Sequence, residues 1–190
     1  MRMLLDQLGF AALLAVSGAS VAWFFPARRY MILLMKSVAE ELEEALRPID
    51  RVYRLLGLYV GFQARFVVRG LREFRALLVL IPRHALLYLP FVLLRGERDT
   101  LVLEAEPPGG AIVECLEYRG RLSRTARRQL ERAGAFRVKG RCPEGLRRLL
   151  EADEVHAVYA AGGAVGVVME PRPGRIGVIA SRLAAYARSL

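Results

Sequence analysis

Asparagine is absent from the 190 residues, glutamine occurs three times, and only Lys36 and Lys139 among the 29 basic residues are lysines. Positive charge is therefore almost all arginine, and thermolabile amides are scarce, a balance that fits a thermophile or a GC-rich genome. His84 and His156 are the only histidines and Cys115 and Cys142 the only cysteines. No CxxC or HxxxH pair exists to build a zinc site, and no metal or cofactor is expected. The simpler reading of the cysteines is two free buried thiols. The alternative, a Cys115–Cys142 disulfide, suits an oxidising compartment or a hyperthermophile. No Gly-x-Gly-x-x-Gly, no P-loop and no spaced nucleophile and base are present, so the chain leans away from an enzyme.

What is abundant is apolar residue, 54%, with a net charge of +10. From Leu8 to Ala27 twenty residues run without a charge, and a helix of that length covers roughly 30 Å, the thickness of a hydrocarbon core. Ser20-Val21-Ala22 resembles a signal-peptidase site, but Arg28 and Arg29 lie just beyond it and Arg2 is offset by Asp6, the reverse of the charge order for export. Residues 1–27 are therefore expected to be a transmembrane anchor. Arg28, Arg29 and Lys36 place the following chain in the cytoplasm and the N-terminus outside.

Residues 28–95 read as a helical, membrane-proximal region. Apolar residues at helical spacing predict helices over about 28–47 and 49–75, separated by Pro48. Glu40, Glu41, Glu43 and Glu44 read as a solvated face. Arg47, Arg51, Arg54, Arg65, Arg69 and Arg72 fall near one stripe, which with Arg28 and Arg29 makes a surface for anionic lipid headgroups. Ala76 to Leu94 is a second apolar run, interrupted by Pro82-Arg83-His84 and Pro90. Its twelve Leu, Ile, Val and Phe residues contribute roughly −4 to −7 kcal/mol toward insertion, which the arginine, histidine and prolines largely offset. A kinked, non-spanning helix is favoured; a second crossing would move the rest of the chain outside.

Beyond Gly96, residues 97–190 suit a small α+β domain, so the expected fold class is α+β: a transmembrane helix, basic amphipathic helices and this domain. Thr100 to Ala105 reads as a strand, 107–110 as a turn, and 110–119 as a helix. Ser123 caps a helix that stops at Gly134. Phe136 to Val138 reads as a strand, 143–152 as a helix, and 155–170 as a hairpin around Gly162-Gly163. Arg175 to Val178 would extend the sheet, and Ser181 to Leu190 would close the chain as a helix.

The leading functional expectation is a membrane-anchored protein whose cytoplasmic domain binds a protein partner or a second copy of itself. Two alternatives remain. One is a tethered winged-helix protein in which Arg121, Arg124, Arg127, Arg128 and Arg132 meet nucleic-acid phosphates and the glycine hairpin is the wing. The other is a small enzyme, or an anion- or nucleotide-binding module using Gly109 and Gly110 as a cradle at a helix N-terminus.

Overall fold

The computed structural model describes residues 2–57, 59–109, 112–138 and 140–190, with the side chains of 2–6 outside that description. The architecture is α+β, as the sequence leads one to expect: a long N-terminal helix and an antiparallel sheet of seven strands carrying shorter helices.

Helix α1 (Arg2–Leu46) contains Pro26, which has no N–H to donate to the preceding turn. The helix changes character there. Between residues 7 and 26 no side chain is buried, and the mean hydropathy of this stretch reaches 1.9 over eighteen residues. It is long and apolar enough to cross a membrane. From Ala27 onward Met31, Leu34, Val38, Leu42 and Leu46 are buried at steps of three and four, the stripe by which a helix packs on one face.

Expected as a second basic helix, 49–75 is instead a meander of strands β1 (Asp50–Gly57), β2 (Gly61–Val67) and the start of β3 (Glu73–Val79). The reason is visible in the period. Phe62, Ala64 and Phe66 alternate with Gln63, Arg65 and Val67, and Phe74, Ala76 and Leu78 alternate with Glu73, Arg75, Leu77 and Val79. The first set of each strand is buried, a two-residue alternation that a sheet satisfies and a helix cannot.

Ala76 to Leu94 forms no continuous helix. It divides into the end of β3, an irregular connection and the six-residue helix α2 (Leu89–Leu94), which is too short to span. Nor does the sheet respect the expected boundary near Gly96, because β3 pairs residue for residue with β4 (Thr100–Glu106), from Glu73↔Glu106 to Val79↔Thr100.

The remaining elements are β5 (Cys115–Tyr118), α3 (Arg124–Arg132), α4 (Glu144–Arg147) with a 3-10 turn to Glu151, β6 (Val155–Ala161), β7 (Ala164–Met169) and α5 (Ile176–Arg188). Strand order is β1-β2-β3-β4-β7-β6-β5. Several local expectations hold. The Ser123 hydroxyl accepts from the Ala126 N–H at 3.1 Å, Gly134 is left-handed after α3, and Gly162 and Gly163, both at positive φ, turn β6 into β7. Others change. The described part of 110–119 is loop and strand β5, 135–137 is a 3-10 turn, and 175–178 belongs to the start of α5.

Helices α1 and α5 cover one sheet face. Glu41, expected on a solvated face, accepts from the N–H groups of Gly174, Ile176 and Gly177 at 2.7, 3.2 and 3.4 Å. It thus caps α5 from another helix, satisfying donors that a helix start leaves orphaned. Glu43 likewise accepts from the Tyr53 hydroxyl at 2.6 Å and from Arg51. The cysteines form a disulfide, Cys115–Cys142, which ties edge strand β5 to the segment before α4. That corrects the free-thiol reading. Both residues are buried in the same core as α5.

Candidate functional site

The opposite sheet face is only half covered. Leu130, Ala126 and Ala135 in and after α3 pack on Val102, Ala157, Tyr159 and Val168 and reach Leu77 of β3, leaving β1 and β2 without a helix above them among the described residues. At the border lies a cleft of about 520 Å³ between Leu56, Gln63, Arg75, Leu77, Val102 and Glu104 on the sheet and Gln129, Arg132 and Ala133 on α3.

The floor of the cleft is a charge network written by strand register. Arg75 stands opposite Glu104, an opposite-charge cross-strand pair that favours this register, whereas Glu73 stands opposite Glu106, a like-charge pair whose repulsion Arg75 offsets by reaching both carboxylates. Arg75 Nε lies 3.2 Å from Glu73 and 3.7 Å from Glu104, and its terminal nitrogen bonds Glu106. The Tyr159 hydroxyl donates to Glu104 at 2.6 Å. Burial, and then the Glu104 charge, push the Tyr159 phenol well above its ordinary value, so it stays a neutral donor and cannot act as a base. The ring reaches Glu104 by crossing β7 over Gly166, where a Cβ would sit 2.2 Å from the ring. Among the described residues no three His, Cys, Asp or Glu side chains gather as a metal would require.

The free edge beside the cleft is β1. It pairs with β2 on one side only, and all eight residues are exposed. Side chains Arg51, Tyr53 and Leu55 share the face that carries α1, where Tyr53 sits edge-on to Phe62 and Phe66; Val52, Arg54 and Leu56 share the open face. Partial burial, followed by the bond to Glu43, raises the Tyr53 phenol above its ordinary value.

No family model matches this chain, and no curated protein matches it in sequence. The site is therefore read from its own geometry.

Arg28 and Arg29 are exposed on α1 at the end of the bare apolar stretch, with the Arg28 guanidinium 4.8 Å from the Tyr59 ring centroid. Arg51 and Arg54 lie on β1 and Arg65 on β2. Arg47, Arg69 and Arg72 lie where α1 ends: Ile49 donates to Val67, and the Arg72 N–H to Glu106. That end is ~28 Å along the helix axis from Ala27, so these arginines do not form one stripe with Arg28 and Arg29. Gly109 ends in an open loop and Gly110 lies outside the described residues. The next element is strand β5, so among the described residues no helix N-terminus, which an anion cradle needs, follows Gly109.

Arg124, Arg127, Arg128 and Arg132 are carried by α3, and Arg121 precedes it. They diverge: Arg132 faces the 520 Å³ cleft, Arg127 pairs with Glu131 at 3.1 Å, and Arg124 and Arg128 line a second cleft with Arg95 and Arg98. The expected wing is the sheet interior, since β6 and β7 are almost wholly buried. A winged helix is thus overturned. Arg75, Tyr159 and Arg95 carry no motif in the sequence, and Glu41 reads there only as part of a solvated face; for Arg75 the available signal is the alternation within Glu73–Val79.

Proposed function

We propose that the chain is a membrane-anchored interaction protein that receives an extended segment of a partner protein along β1. The observation carrying this reading is the edge itself. An eight-residue strand with Val52 at 60% and Leu55 at 67% exposure is a template that proteins otherwise shorten, charge or cover, and strand addition is the recognition mode such an edge supports. The neighbouring cleft supplies Leu56 and Leu77 for a side chain of the added strand.

A partner segment is favoured over a second copy by geometry. Strand β1 starts beside Glu43 and returns to Tyr59 beneath Arg28, so it runs back along α1. Two copies anchored in one bilayer, related by an axis along its normal, would bring β1 beside β1 in parallel, with Arg51 and Arg54 repeated on both sides, and like charges across a pair destabilise it. Arg51 and Arg54 on the edge strand, with Arg47 just before it, favour an acidic, apolar segment. Amide hydrogen exchange tests the reading: β1 amides should be protected in native membranes and exchange rapidly in the purified protein. Equally rapid exchange in both would count against it.

We infer a cytoplasmic domain from Arg28, Arg29 and Lys36, with the disulfide persisting there because burial denies access to an attacking thiolate. The disulfide also favours a second reading, with the domain outside. The native cysteines are bonded, so the reporter is Asp153→Cys on an 84% exposed side chain. Labelling by an impermeant maleimide only after permeabilisation supports the first reading; labelling of intact cells supports the second.

A further inference from the structure

The segment between β3 and β4 contains ten uncharged residues, Ala85 to Leu94. Its large side chains point outward, Leu87 at 69%, Phe91 at 61% and Leu94 at 86% exposure, and α2 buries only Val92. In water such a patch is unfavourable, and no other element of the described chain covers it.

The structure fixes this patch against α1 at one level. The Trp23 indole N–H donates to the Arg83 carbonyl at 2.8 Å, and the His84 ring lies edge-on to Phe24 and Tyr59 at 6.0 and 5.8 Å. The Arg83 guanidinium sits 5.3 Å from the Tyr30 ring centroid and pairs with buried Asp99 at 2.7 Å, whose other oxygen accepts from the Ile81 N–H at 2.8 Å. From this clamp the chain reaches toward the N-terminus of α1. A cleft of about 590 Å³ separates residues 84–88 from Ser20, Val21, Phe24 and Phe25. Ser20 lies seven residues inside the apolar run from Ala27, ~10 Å along the helix, which matches the ~5–10 Å reached by interfacial segments that lie on rather than span a bilayer.

Charge follows immediately. Arg95 and Arg98 after α2, with Arg124 and Arg128 on α3, line a cleft shared with Tyr88 and Val92. The one carboxylate there, Glu97, is engaged by the Thr125 hydroxyl at 2.9 Å. An apolar projection rimmed by arginines and aromatics at the level of a membrane anchor has the chemistry of a bilayer interface.

We propose that residues 85–94 insert beside α1 into one leaflet and that Arg95, Arg98, Arg124 and Arg128 bind the headgroups of anionic phospholipids there. The domain is then held at two points, with its open sheet face in a fixed attitude to the membrane. The proposal rests on α1 being a membrane anchor, and the experiment separates the two claims.

Full-length Leu94→Cys protein, its native cysteines still bonded, is labelled with nitrobenzoxadiazole and reconstituted into phosphatidylcholine–phosphatidylglycerol vesicles containing doxyl-labelled lipid. Asp153→Cys is the control. Failure to float with vesicles would remove the anchor itself. Given flotation, the account expects the Leu94 probe to be quenched several-fold more by doxyl lipid and less by aqueous iodide than the Asp153 probe. It also expects lipid quenching to fall when phosphatidylglycerol is omitted, and when Arg124 and Arg128 are both replaced by Ala. Iodide quenching equal at the two positions would overturn insertion, as would shielding from iodide without lipid quenching, which marks a protein neighbour. Lipid quenching indifferent to phosphatidylglycerol would overturn the headgroup assignment.

Discussion

Replacing Glu41 by alanine should cost more stability than its place among four glutamates suggests. Its carboxylate accepts three backbone N–H groups at the start of α5, the best at 2.7 Å. A hydrogen bond to a charged group contributes ~1.5–3 kcal/mol and loss of an N-cap costs ~0.5–2 kcal/mol. The negative charge at the positive helix end adds ~0.3–1 kcal/mol. These overlap, since the same oxygens serve all three roles, so Glu41→Ala should cost ~2–3 kcal/mol, and Glu41→Gln, which keeps an acceptor, roughly 1 kcal/mol. For a chain of this size each kcal/mol moves Tm by about 2–4 °C, giving a fall of roughly 4–12 °C for the alanine variant. The control is Glu40→Ala, whose exposed i,i+4 pair with Lys36 at 3.5 Å contributes ~0.5 kcal/mol or less. Circular dichroism melts of the detergent-solubilised protein read both. Equal Tm values for the Glu40 and Glu41 variants would refute the cap.

Gly166→Ala places a methyl group 2.2 Å from the Tyr159 ring, so the ring and its bond to Glu104 must shift; a loss of about 2–3 kcal/mol is expected in chemical denaturation, against ~1–2 kcal/mol for Tyr159→Phe. Reducing Cys115–Cys142, which closes a 27-residue separation, should remove about 3.5 kcal/mol by loop entropy, visible as a lower denaturation midpoint in reductant. Acid should destabilise the protein in two stages. Burial depresses the His156 pKa below 6.5, so its neutral form is favoured in the fold, and that stability is lost as pH falls from about 6.5 through the lower folded value. Burial pushes the Glu154 carboxyl up, but the Arg175 hydrogen bond and the Arg175 and Arg172 charges outweigh it and hold it below 4.5. Its contribution, present at higher pH, is lost as pH falls below about 4.5. A Tm that rises on acidification through this window would contradict both assignments.

The parts legible in the sequence are those written in local chemistry. Ser123 ahead of α3, Gly134 behind it and Gly162-Gly163 between two apolar runs each act within a few residues and form as expected, and the twenty uncharged residues lie in one helix long and apolar enough to span. The meander was missed because arginines at 51, 54, 65, 69 and 72 fall at helical steps, while the decisive alternation of Phe62, Ala64 and Phe66 spans only seven residues. Nothing local announces that β3 pairs with β4 across the Gly96 boundary, or that Glu41 caps a helix that starts 135 residues away. The disulfide is long-range in the same sense. The candidate site depended most on what could not be read, because the Arg75 network, the Tyr159 bridge over Gly166 and the open β1 edge all exist only once strand order is set.

Docking along β1 is open to a direct test. Its most direct measurement places a photo-crosslinking residue at Val52, on the open face, and separately at Leu55, on the opposite face, in membranes of living cells. The account predicts adducts from both positions that map to one extended stretch of the same partner, with none from Asp153. Adducts from one face alone, or stretches unrelated between the two positions, would contradict it.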